Sequence, residues 1–118
     1  MTDYIWITFK KEGIHKYPEA GTNPELKSVN FLQYPHRHIF HFKVYVEIFH
    51  DNRDREFIME KRWMESLYNE NILNLNFQSC EMMARDLSEK LKERYKNENR
   101  KIIIEISEDG ENGTHLEF

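Results

Sequence analysis

The sequence predicts an α+β protein, an antiparallel sheet with two helices on one face. Three observations carry this. Pro35–His50 (PHRHIFHFKVYVEIFH) alternates between apolar and mixed positions, the period of a strand. Cys80–Tyr95 carries Met83, Leu87 and Leu91 at i, i+4 spacing, one face of a helix. The predicted order is strand, loop, long strand, strand, helix, helix, strand, strand. It clusters the helices between runs of strands, as α+β sandwiches do.

Each element has its own warrant. Asp3–Phe9 (DYIWITF) is aromatic and β-branched and reads as a first strand, continuing past Lys10 and Lys11 towards His15. Tyr17–Asn30 holds two prolines, Gly21 and several polar residues, and reads as a long loop. From His36 to about Phe49, alternation puts His36, His38, Phe40, Phe42, Val44, Val46 and Ile48 on one face. That set is apolar after the histidines and should face the core. Ile39, His41, Lys43, Tyr45, Glu47 and Phe49 form a wetter face or a subunit contact.

Asp51–Asp54 is a polar turn, and Arg55–Glu60 (REFIME) reads as a strand pairing back. Trp63 and Leu67, with Met64 and Tyr68, follow helical spacing, so Lys61–Asn69 is a short helix. Asn69–Phe77, with four asparagines, reads as an irregular connection. Ser79 is the N-cap of the helix Cys80–Tyr95, whose outer face carries Arg85, Glu89, Lys92, Glu93 and Lys96. Ile102–Ile106 is a strand, Ser107–Gly113 a glycine-bearing turn, and Thr114–Phe118 a closing edge strand.

At 118 residues the chain is one domain, 1–118, with room for a single core. The charged fraction of 32% and mean hydropathy of −0.83 imply a modest core and well-solvated helix faces. A net charge of −4 argues against a nucleic-acid partner. Cys80 stands alone, so no intramolecular disulfide forms, which fits a reducing compartment. No apolar run approaches the roughly 18 residues of a membrane span. The N-terminus lacks a signal-peptide pattern. The expectation is a cytoplasmic protein with no membrane partner.

His36 and His38 are the sharpest chemical signal. Two apart on a strand, they share a face and can supply two ligands of a metal site. The competing reading is two polar residues on the rim of a sheet. His41 and Glu47, on the other face, read as surface groups or supports behind the ligands. Cys80, near a helix N-terminus, has the position of an activated thiol, but a small buried core residue is the favoured reading. The acids of Glu105–Glu111 lack the regular oxygen spacing of a calcium loop.

The order of elements and several motifs resemble the tunnelling-fold (T-fold) family of 6-pyruvoyl-tetrahydropterin synthase and 6-carboxy-tetrahydropterin synthase, the latter acting in queuosine biosynthesis. Ile14-His15-Lys16-Tyr17-Pro18 is similar to that family's first zinc-histidine segment, and His36-Arg37-His38-Ile39-Phe40 to its H-G-H strand. Gln78–Ala84 looks like its helix start, and Ile104–Gly113 like its late strand and turn. The resemblance implies zinc on His15, His36 and His38. It implies that Glu108, with Glu105 as second choice, anchors a pterin- or purine-like ring. It implies a homo-oligomer whose sheets close a barrel, and a zinc-dependent lyase if the protein is an enzyme.

The chain also departs from that family. The family's catalytic cysteine precedes the H-x-H strand, and Tyr17–Pro35 has none. The family's Asp-His pair has no counterpart in Asn69–Phe77. The H-G-H glycine is Arg37, which is expected to bring a cation close to the metal. Tyr17, Tyr34 and His41 are then the candidate bases. With the usual catalytic residues missing, the alternative is a non-catalytic module that binds or sequesters a nucleotide-like ligand or a protein partner.

Overall fold

In the computed structural model, which describes Met1–Phe118, the sheet is built on two long strands. β1 (Asp3–His15) and β2 (His36–Ile48) pair antiparallel along their whole length, from Asp3 opposite Ile48 to His15 opposite His36. β1 does run on to His15, as expected. The segment between them is two short 3₁₀ stretches, Pro18–Gly21 and Pro24–Gln33, rather than structureless loop. Each starts at a proline, whose fixed φ suits a first helical position.

The remaining elements are α1 (Phe57–Ser66), β3 (Ile72–Asn76), α2 (Cys80–Arg94), β4 (Ile102–Glu108) and β5 (Asn112–Glu117). The sheet order is β3-β1-β2-β4-β5. The protein is α+β, with both helices packed on one face of a five-stranded sheet. The expected all-antiparallel sheet is corrected at one edge, where β3 runs parallel to β1 and pairs with Glu12–His15. This strand replaces the irregular connection expected over Asn69–Phe77. Its Leu73 and Leu75 are buried, while Asn74 and Asn76 alternate outward into solvent.

The second correction concerns Arg55–Glu60, which begins α1 instead of pairing as a strand. Glu56 caps the helix by accepting the Met59 N–H at 2.8 Å. Phe57, Ile58 and Met59 are exposed, and the residue turned inward is Glu60. Its carboxylate accepts from Arg94 Nε at 2.8 Å and Tyr95 OH at 2.7 Å. These bonds offset the cost of burying the charge and tie α1 to the end of α2.

α2 forms as its sequence dictates. Ser79 Oγ accepts the Met82 N–H at 3.2 Å. Met83, Leu87 and Leu91 are buried against Phe40, Phe42, Val44 and Val46 of β2 and Ile102, Ile104 and Ile106 of β4. Each such side chain contributes about 1.5–3 kcal/mol of burial. Gly13, opposite His38, lets Leu75 and Phe40 close over β1: an added Cβ would lie 2.9 Å from a carbon of each. The β4–β5 turn is shorter than expected, Asp109–Glu111, with Asp109 and Gly110 both at positive φ. No helix is long and apolar enough to cross a membrane.

Candidate metal centre

Strand register alone brings three histidines together. His15 ends β1 and faces His36, which starts β2; His38 lies two residues further on the same face. Their ring centroids are 4.6, 5.2 and 5.0 Å apart, and the rings meet edge to face. One ring nitrogen of each lies within 4.8 Å of the others, close enough to hold a metal ion. His15 is buried, and His36 and His38 are partly exposed.

Nδ1 of each ring has a partner. His15 Nδ1 donates to the Gln78 carbonyl at 2.7 Å, and His36 Nδ1 to the Tyr34 carbonyl at 2.8 Å. A carbonyl only accepts, so the proton of each neutral ring is on Nδ1 and the lone pair on Nε2. His38 Nδ1 is 2.7 Å from Asp109 Oδ2. Metal-binding histidines characteristically hand their second nitrogen to a carbonyl or carboxylate, which fixes tautomer and ring angle. All three rings here do so.

Glu108 completes the cluster. Its Oε2 is 2.9 Å from His38 Nε2, and its Oε1 is 3.9 Å from His15 Nε2. His38 Nε2 is nonetheless a buried nitrogen without a hydrogen-bond partner. With its proton on Nδ1 towards Asp109, it turns a lone pair on a carboxylate. The opposite tautomer would only move the conflict to Asp109. A neutral ring has a single N–H and cannot serve two carboxylates. A positive centre at Nε2, a second ring proton or a metal ion, satisfies both, so the donor set is compatible with a metal. Asp109 is itself held below the usual carboxylate range, first by the His38 bond and then by the Ile39 N–H.

A cavity of about 360 Å³ opens beside the cluster. His15, His36, Glu108 and Cys80 line it, with Tyr17, Leu32, Phe77 and Met82 as apolar wall. That volume is within the range of small-molecule pockets, and Lys16, Gln78, Ser79 and Glu81 make the rest of the lining polar. Cys80 is 4% exposed, and burial, then the charge of Glu108, pushes its thiol up to about 12. It is the small buried residue expected, yet it also borders the cavity.

The other candidates fall elsewhere. Arg37 points to the opposite sheet face and pairs with Glu12 at 3.2 Å, so it brings no charge to the histidines. Strand alternation requires this, since Arg37 lies between two residues that face inward. Glu105 is also on that face, 2.8 Å from His115. His41 lines a separate groove with Glu105 and His115, and Tyr34 contributes its carbonyl while its side chain is exposed. Glu47 accepts the Lys101 N–H at 2.9 Å.

Sequence reasoning missed Asp109 as the partner of His38. The signal lies in the pairing of Phe40 with Glu108, which sets the next residue beside Ile39 and His38. It becomes readable only once the β2–β4 register is known. No family model matches the chain, and no curated protein matches it.

Proposed function

We propose that this protein is a zinc-binding relative of the 6-pyruvoyl- and 6-carboxy-tetrahydropterin synthases that takes a pterin- or purine-like ligand into the cavity beside His15, His36 and His38. The observation that carries this reading is that all three rings have Nδ1 engaged and an Nε2 left over. Three neutral imidazoles suit zinc among the divalent metals. His15, His36 and His38 would hold the ion, which would supply Lewis acidity towards an oxygen of the ligand's side chain. The chain's own groups do the rest. Tyr17, Leu32, Phe77 and Met82 offer the flat ring an apolar wall. The Glu108 carboxylate takes the ring's paired N–H donors, as a carboxylate takes an arginine fork.

A second reading keeps the pocket and drops the reaction, so that the protein holds or sequesters its ligand. It is favoured by Cys80, the cavity's one thiol, which burial keeps protonated, and by the missing Asp-His pair. The resemblance also implies a ring of subunits, and the lone Cys80 fits a reducing, cytoplasmic compartment. The β1 edge from Asp3 to Lys11, beyond the reach of β3, and the outer edge of β5 are the strand edges such a ring would join.

Metal analysis of the purified chain tests the reading. We expect about one zinc per chain, lost in His36→Ala, and a higher Tm when a pterin or purine is added to the zinc-loaded protein. Absence of metal at neutral pH overturns it. Product formation from a pterin substrate separates the enzyme from the sequestering module.

A further inference from the structure

We propose that Glu108 is the fourth metal ligand of the ligand-free protein, closing the coordination sphere until an incoming ring draws the carboxylate away. The inference rests on the metal reading above and specifies how that site is guarded. Two ligand atoms at zinc-like distances around a tetrahedral ion lie about 3.3 Å apart. Glu108 Oε2 is already 2.9 Å from His38 Nε2, and Glu108 Oε1 is 3.9 Å from His15 Nε2. The carboxylate thus straddles two of the three nitrogens on the side where the ion would sit.

The short approach of Glu108 to His38 is not a hydrogen bond in geometry: Nε2 is buried without a hydrogen-bond partner, while Nδ1 faces Asp109. A carboxylate oxygen 2.9 Å from a buried ring nitrogen, outside hydrogen-bond geometry, is placed as two ligands of one cation would be. A proton would serve His38 alone. A metal ion also serves His15 and His36, since one ring nitrogen of each of the three histidines lies within 4.8 Å of the others. The donor set is then three imidazoles and one carboxylate, a full tetrahedron. Glu108 also lines the cavity, so a ligand arriving there meets the carboxylate before the metal.

Gating follows from one group having two partners. A ring presenting paired N–H groups competes with the metal for the same two oxygens, and when the ring engages them the fourth position opens. Glu108 is a partly exposed residue at the end of β4, so its replacement leaves the core intact.

Cobalt titration of the metal-free full chain tests this, with azide as the probe of an open position. In the wild type, cobalt should give a tetrahedral visible band that azide does not change. In Glu108→Ala, cobalt affinity should fall by about tenfold or more, and azide should shift the band. Glu108→Gln serves as second variant if the alanine form retains no cobalt. Asp109→Asn, which acts through the His38 ring, should weaken cobalt without admitting azide. If azide alters the wild-type band as readily as the variant's, the fourth position was open and the assignment of Glu108 is overturned, while the three-histidine site stands. If the wild type takes up no cobalt, both readings fall. If both Glu108 variants keep their circular dichroism but lose cobalt while the wild type excludes azide, the assignment is upheld.

Discussion

His38 and Asp109, 71 residues apart in sequence, meet through a 2.7 Å contact between Nδ1 and Oδ2. The other carboxylate oxygen accepts the Ile39 N–H at 2.9 Å, so Asp109 is locked to β2 at two points. It also sits at φ 57°, a conformation that asparagine tolerates. Asp109→Asn should therefore keep the turn and lose the charge behind the ring. Zinc affinity should fall by about 10–100-fold, measured by competition with a chromophoric chelator. An unchanged affinity would show that the ring is held by packing alone.

Cys80 should be inert in the native protein. Burial and the neighbouring Glu108 push its thiol up to about 12, so almost none is thiolate near neutrality. Alkylation by iodoacetamide at about pH 8, followed by mass spectrometry, should be slow in buffer and fast in urea. Rapid labelling of the folded chain would mark Cys80 as a reactive thiol and revive the enzymatic role denied it here.

Asp54 makes stability sensitive to acid. Arg100 donates to it at 2.9 and 3.3 Å and the Phe49 N–H at 2.8 Å, and the carboxyl is held at about 2, chiefly by Arg100. A depressed carboxyl pKa stabilises the fold above the unfolded value and loses that contribution as pH falls through the folded one. The urea midpoint should drop between about pH 4 and pH 2, and Asp54→Asn should shrink that drop. Glu98, lowered mainly by Arg55, should sustain part of it in the variant.

Gly13→Ala should cost about 1–3 kcal/mol, the usual penalty of overpacking. The new methyl meets Leu75 and Phe40, both buried, at 2.9 Å. Thermal unfolding measures the loss, and Leu75→Ala should cost less in the Gly13→Ala background than in the wild type, since it frees the space the new methyl needs. Additive losses would mean that the strand shifts as a whole.

The elements legible in the sequence were those whose buried face is apolar. β2 and α2 bury Phe40, Phe42, Val44, Val46 and Met83, Leu87, Leu91, and their periods are plain. α1 was misread because its first turn inverts the rule: Phe57, Ile58 and Met59 face water, while Glu60 faces inward to Arg94 and Tyr95. β3 was missed because only two of its five residues are buried and asparagines fill its exposed positions. The histidine trio was proposed from motif order, and the β1–β2 register brings its members together. The groups behind the rings, two carbonyls and Asp109, belong to backbone and register, which residue types do not reveal.

The bonds that aim the histidines have a consequence for folding. His15 is fixed by Gln78, 63 residues on, and His38 by Asp109, 71 residues on. Such contacts form only when the first, middle and last thirds of the chain have docked. An ion that needs all three rings would bind the finished fold and scarcely at all a partial one, so it acts as a latch on the whole cooperative unit. At a hundred times its dissociation constant, it would add about 2.7 kcal/mol to unfolding. A peptide of residues 15–38 would carry every histidine of the site and little of its affinity.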